Sequence, residues 1–202
     1  MQGSKSGTLA DTLLDFLETV VTAVFFVVIL FTFIMKLVTV SGKSMENTLG
    51  DGDMLIVRNL FYTPKQGDII VVSSDALEKL IIKRVIAVSG QKVTIDYNND
   101  KVYVCDRDKE PTENDILDEP YILEHDMKDP ENHFSESFFD ENTESYVYTV
   151  PVGYVFVLGD NRNDSTDSRA IGLIDLGDIE GKAVLRFLSP TGKGIGIPDR
   201  KG

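Results

Sequence analysis

The sequence predicts a mostly β protein: one apolar, membrane-crossing α-helix followed by an antiparallel β-sheet domain. Three observations carry this. Thr19 to Met35 is a run of 17 residues without a charge. Eight short runs rich in Val, Ile, Tyr and Phe follow it. Gly-Asp or Gly-Gln pairs punctuate them at Gly52-Asp53, Gly67-Asp68, Gly90-Gln91 and Gly177-Asp178. At 202 residues and 42 % apolar composition, the chain can bury one full core and is short for two.

The elements follow in order. Residues 1–18 are a short tail, and residues 19–40 the membrane helix. The uncharged run alone extends about 25 Å as a helix. Lys36 can snorkel to the interface, so the span continues through L-V-T-V. A buried core helix is rarely so apolar on every face. A cleavable export signal needs a basic start and an A-x-A-like site after the apolar run, and neither is present. Lys5 stands against Asp11, Asp15 and Glu18 before the span, while Lys36 and Lys43 follow it. The distribution of positive charge therefore does not by itself support placing the following domain outside the cell.

Residues 41–202 form the β domain. Its predicted strands are D-M-L-I-V, D-I-I-V-V, L-I-I-K-R-V-I-A-V, K-V-T-I-D, K-V-Y-V, Y-V-Y-T-V, Y-V-F-V-L and A-V-L-R-F-L. The net charge of -13 belongs almost wholly to one segment, because residues 106–149 hold 15 acids and 3 bases and the remainder 18 acids and 17 bases. That acidic, Asn-rich stretch reads as a surface insertion. Its two histidines, His125 and His133, lack the spacing of a metal site. The lone Cys105 excludes an intramolecular disulfide and fits a small apolar core residue. Nothing basic and aromatic interleaves, which excludes nucleic acid as a partner.

Three stretches carry chemistry. Ser44 lies in S-G-K-S-M-E-N-T-L, a Gly-containing turn close behind the apolar span. Alone, such a serine is an ordinary turn residue. Lys83 lies in L-I-I-K-R-V-I-A-V, where alternation puts it on the face of Ile81 and Val85, and Arg84 on the face of Ile82 and Ile86. Either one charged group points inward, or the run is an edge strand whose charges blunt aggregation. A buried ammonium is depressed from about 10.4 toward 7 or 8, the range of a general base. A nucleophilic serine needs a base, and both histidines sit in the acidic insertion, which leaves Lys83.

The third stretch, L-G-D-N-R-N-D-S-T-D-S-R, crowds charge directly behind an apolar strand. Ser165 reads as the residue that aims the Lys83 amine. Asp167 and Arg169 brace the loop, and Asp160, Asn161 and Arg162 form its turn. A calcium loop starting at Asp160 fails, since Arg162, Ser165 and Ile171 fall at positions three, six and twelve.

S-G-K-S-M-E-N-T-L, I-K-R-V-I-A-V-S-G and G-D-N-R-N-D-S-T-D-S-R-A-I-G, in this order behind a membrane helix, resemble the sequence boxes of type I signal peptidases, membrane-anchored Ser-Lys proteases. The resemblance runs from the helix to G-K-A-V-L-R-F, the acidic insertion excepted. It implies Ser44 as nucleophile and Lys83 as general base, with Ser165 positioning the lysine. Asp160, Arg162, Asp167 and Arg169 are implied as structural support, and Arg84 joins them. Met45, Leu49 and Ile82 fall where the family forms shallow apolar pockets for small side chains at the first and third positions before the cut. The implied partners are signal peptides of exported precursors and the lipid bilayer, with a monomer in the membrane and its catalytic domain on the extracytoplasmic side. No metal or cofactor is implied.

The chain also departs from the family pattern. Gly42 stands where some members carry a hydroxyl donor to the oxyanion. Asn47 replaces a frequent proline, and Ala87, Ser89 and Gln91 replace frequent Gly, Pro and Asp. Two rivals are weighed against the protease. A self-cleaving Ser-Lys repressor would carry a DNA-binding domain where this chain has its span, and a catalytically inactive membrane-tethered β domain would bind exported proteins without cutting them. R-N-L-F-Y at residues 58–62 reads either as a lipid-dipping tip or as a hairpin end packed on the core.

Overall fold

A computed structural model describes residues 9–29, 32, 34–122, 127–128 and 138–198. The first element, α1 (Leu9–Ile29), has no buried residue and is long and apolar enough to cross a membrane. It begins at Leu9 rather than Thr19 and ends at Ile29 rather than Val40. Upstream, Leu9, Leu13, Leu14, Phe16 and Leu17 extend the apolar periodicity past the acids. Downstream, the end of the expected helix is instead a strand, β1 (Met35–Thr39), paired antiparallel with β2 (Met54–Arg58). An uncharged run does not distinguish a helix from an adjoining strand, and here pairing with β2 decides. Only residues 30–34 separate α1 from β1.

The remaining strands are β3 (Ile69–Ser74), β4 (Lys79–Val88), β5 (Gln91–Asp96), β6 (Lys101–Asp106), β7 (Phe139–Asp140), β8 (Ser145–Thr149), β9 (Tyr154–Leu158), β10 (Ile174–Asp175) and β11 (Ile179–Leu188). They form two antiparallel sheets, ordered β1-β2-β11-β3-β4-β9-β10 and β6-β5-β8-β7. All eight predicted strands are present. The turn at Ser89-Gly90 carries the chain from β4 in the first sheet to β5 in the second, and Gln91 caps it by accepting from the Val88 N–H at 2.9 Å.

The acidic stretch is less of an insertion than its composition suggests. Its last residues are β8, which pairs with β5, and Tyr148 and Val150 sit in the core with Ile86, Val93, Ile95, Phe156 and Leu158. The alternation in Y-V-Y-T-V thus prevails over the charge around it. His125 and His133 lie outside the described residues. Cys105 is buried, as expected of a core residue.

A second cluster underlies the future site: Met45, Leu49, Leu55, Val57, Ile69, Val71, Ile82 and Ala183. Fully burying each large aliphatic side chain contributes on the order of 1.5–3 kcal/mol, and here that burial fixes the Ser44 loop against the sheet. β4 lies between β3 and β9, so the edge-strand reading of Lys83 and Arg84 is wrong. Both charged side chains are buried, at 3 % and 1 % exposure, because apolar clusters pack on both faces of β4, one through Ile82 and the other through Ile81 and Val85.

Candidate active site

Ser44 leads into a helical turn in which Thr48 N–H and Leu49 N–H donate to the Met45 carbonyl. Burial of Met45 and Leu49 anchors this turn from below, leaving Ser44 half-buried at a groove. The groove, of about 500 Å³, runs between Leu37–Thr39 of β1, with Val40 after it, and the Leu80–Lys83 part of β4, with Asp164, Ser165 and Thr166 at its end. Met45 and Ile82 line it. Leu49 does not, because it lies wholly within the core underneath.

The Lys83 amine donates to Ser44 Oγ at 2.7 Å and to the Ile82 carbonyl at 3.1 Å. Burial lowers its pKa from 10.5 to about 8; Asp167 and Asp160 pull upward, while Lys79 and Arg169 pull down. At pH 7 about one tenth is already the uncharged amine, and about half is at pH 8. Two N–H bonds and one lone pair suit this species to hold a hydroxyl and accept its proton.

Ser165 lies beside this pair without hydrogen-bonding the amine, contrary to the orienting bond predicted for it. Both observed donations from Lys83 go elsewhere, and the Ser165 hydroxyl is buried at the groove's end. Its closeness to Ser44 is read from Gly159, where an added Cβ would stand 2.2 Å from Ser165 Oγ and 2.5 Å from the Ser44 carbonyl oxygen. Only glycine fits between them.

The third stretch grips the nucleophile's loop by its backbone. Asn161 N–H donates to the Ser44 carbonyl at 3.0 Å, and Asn161 Nδ2 donates to the Lys43 carbonyl at 3.2 Å. Asp160 accepts from Arg84 Nε at 2.7 Å and Nη2 at 2.5 Å, and from Thr48 Oγ1 at 2.5 Å. Asp167 accepts from Arg169 Nε at 2.8 Å and Nη2 at 2.9 Å, and from Gly159 N–H at 3.0 Å. Its complete burial pushes its pKa up, but Arg169 outweighs that and holds the carboxyl below its usual range. Arg162 Nε donates to the Gly159 carbonyl at 3.1 Å, and Arg169 Nη2 to the Arg162 carbonyl at 2.7 Å. Bidentate pairs of this kind offset part of the desolvation of their charges and fix one geometry.

Sequence reasoning missed Thr48, Glu119 and Tyr121. Thr48 was within reach, as it stands in the first box four residues after Ser44. Glu119 and Tyr121 had no local signal. Glu119 pairs with Arg162 through both guanidinium nitrogens, and the Tyr121 ring lies 3.9 Å from the Arg84 guanidinium carbon.

The departures acquire geometry. Gly42 has φ +93°, which disfavours any side chain there, so no hydroxyl donor is expected from that position. Among the described residues the Ser44 N–H makes no hydrogen bond and remains available to an oxyanion. Asn47 has φ 93°, a conformation closed to proline, whose ring locks φ near about -65°. The Lys193 amine donates to the Asn47 carbonyl at 2.6 Å and ties this turn to the end of the chain. No group of His, Cys, Asp and Glu suited to a metal ion occurs among the described residues.

A family described as signal peptidase, peptidase S26, matches residues 13–188. A signal peptidase IB from Staphylococcus aureus is 34 % identical over 182 residues, covering 87 % of this chain and 89 % of its own. A signal peptidase I from Bacillus caldolyticus is 35 % identical over 158 residues, covering 77 % of this chain and 80 % of its own. A crystal structure of a signal peptidase I from Enterococcus faecalis is 30 % identical, with a TM-score of 0.41 and coverage of 60 % of this chain and 97 % of that one.

Proposed function

Because the chain belongs to the signal peptidase family, peptidase S26, and is thereby a serine endopeptidase that removes signal peptides, we propose that Ser44 and Lys83 form its catalytic dyad. The observation that carries this reading is the 2.7 Å contact between a buried amine of lowered pKa and a serine hydroxyl at an open groove. β1 is an edge strand whose residues wall the groove, so an extended substrate has a backbone to pair with. Met45 and Ile82 sit under the positions where small side chains would enter.

In the reaction, neutral Lys83 takes the Ser44 proton as Oγ attacks the scissile carbonyl, and the Ser44 N–H meets the developing oxyanion. Lys83 then returns the proton to the leaving amine. A water that gives its proton to the Lys83 amine then attacks the acyl-enzyme, and Lys83 passes that proton to Ser44 Oγ as the acid product leaves. Ser165 contributes by packing at the end of the groove, close to Gly159 and the Ser44 loop. α1 anchors the chain in the bilayer, and residues 41–202 act on the extracytoplasmic side, where exported precursors emerge. The full chain in detergent micelles is expected to hydrolyse a fluorogenic peptide with small residues at the first and third positions before the cut. Cleavage elsewhere in that peptide, or none, overturns the reading.

The tip between β2 and β3 divides the two roles weighed for it. Phe61 is 94 % exposed, with φ 52°, while Tyr62 packs inward and donates to Asp68 Oδ2 at 2.8 Å. Phe61, with the exposed Leu60 before it, is the side chain placed to enter lipid. Phe61→Ser is expected to lower the cleavage rate of a liposome-inserted precursor about tenfold, as burial of one aromatic side chain in lipid implies. Turnover of a soluble peptide is expected to stay unchanged. Equal effects on both substrates would place Phe61 outside any lipid contact.

A further inference from the structure

The acidic segment supplies two residues to the interior of the site, Glu119 and Tyr121. Three buried guanidinium groups, Arg84, Arg162 and Arg169, surround the turn that holds Ser44, each 5 % exposed or less. The turn itself provides two carboxylates, Asp160 for Arg84 and Asp167 for Arg169. Arg162 takes its counter-charge from Glu119, more than forty residues earlier in the chain. Tyr121 completes the contact: its hydroxyl donates to Glu119 Oε1 at 2.8 Å, and its ring covers Arg84.

The other ion pairs of this segment differ in kind. Lys101–Glu113, Lys109–Asp106 and Arg107–Asp108 are surface pairs, which contribute little, and Lys92–Glu110 sets a buried lysine against a fully solvated carboxylate. The Glu119 and Arg162 side chains are 11 % and 3 % exposed. With Glu119 present, three cations meet three anions, and the arrangement is neutral when Lys83 is uncharged. Without it, Arg162 is a buried cation with no carboxylate.

We infer that Glu119 is a positioning residue of the cleavage reaction, acting through Arg162 on the turn that holds Ser44 and assisted by Tyr121. Its carboxylate fixes Arg162, whose Nε holds the Gly159 carbonyl; two residues on, Asn161 N–H holds the Ser44 carbonyl. Glu119 touches neither substrate nor the reacting atoms, so its loss is expected in kcat rather than KM. The inference rests on the reading of Ser44 as nucleophile, and the assay separates the two. If the unaltered chain does not cleave the peptide, the nucleophile reading fails. If it does, the variants decide on Glu119.

Full-length chain in detergent micelles is assayed with the fluorogenic peptide. Glu119→Gln is expected to lower kcat about tenfold or more with KM within about twofold, and Glu119→Asp to recover most of that loss by keeping the charge. Glu113→Gln, in the same segment but paired on the surface, is expected to match the unaltered chain. Should Glu119→Gln not fold, Tyr121→Leu takes its place and is expected to show the same fall in kcat at unchanged KM. Turnover within twofold of the unaltered chain in the folded variant, or a loss confined to KM, overturns the inference. So does a Glu119→Asp variant no better than Glu119→Gln.

Discussion

Ser44→Ala is expected to remove cleavage, lowering kcat by at least about ten-thousandfold, the scale on which loss of a covalent nucleophile acts in serine proteases. The chain should still fold. Ser44 is half-buried at the groove, its loop is anchored by Met45 and Leu49 below, and the Asn161 grip is on the backbone of residue 44. Removing one hydroxyl also leaves Lys83 with its bond to the Ile82 carbonyl. The assay is turnover of the fluorogenic peptide, with near-ultraviolet circular dichroism as the fold control. Turnover near that of the unaltered chain would strike Ser44 from the mechanism and leave the groove without a nucleophile.

Lys83→Met is expected to be as inactive, and to make the chain more stable at pH 7. Unfolded, the amine titrates near 10.5; in the fold burial brings it to about 8. That displacement corresponds to about 3 kcal/mol, which the protein forgoes to keep a base in place. Between the two values the unfolded chain binds more protons than the folded one, so stability rises as pH climbs from 8 toward 10.5. Below 8 both states hold the proton and the penalty is fully present. The methionine variant therefore should gain up to about 3 kcal/mol at pH 7 by chemical denaturation and lose that advantage near pH 10. In the unaltered chain the rate should rise with pH through the same ionisation and level off above about 8. A variant less stable than the unaltered chain at pH 7 would argue that Lys83 is a charged structural partner.

What the sequence made legible follows from how far each signal reaches along the chain. Period-two alternation and Gly-Asp turns are local, and they gave every strand of five residues or more except β1. Two charged residues in the middle of I-I-K-R-V-I marked an energetic cost, and the interior position of β4 turned that cost into a lowered pKa. β1 was hidden because an uncharged run looks the same whether it continues a helix or pairs with a strand found twenty residues later. Glu119 was hidden for another reason. Among 15 acids in one segment nothing local distinguishes the one that enters the interior, and its partner lies 43 residues away. Ser165 shows the limit within the site: its place beside Ser44 was foreseeable, but the destination of the Lys83 hydrogen bonds was not.

The short link between α1 and β1 carries a further consequence. Six Cα–Cα steps join Ile29 to Met35, so covalent geometry keeps the two within about 23 Å of each other. With α1 as the proposed membrane anchor and β1 a wall of the groove, the scissors are leashed to their own mooring, and the elevation at which a precursor is severed is written into the backbone as a measuring rod. Splicing a dozen flexible residues into that leash would let the blade roam, scattering the bonds cut in an embedded precursor while a short free peptide is cut as before.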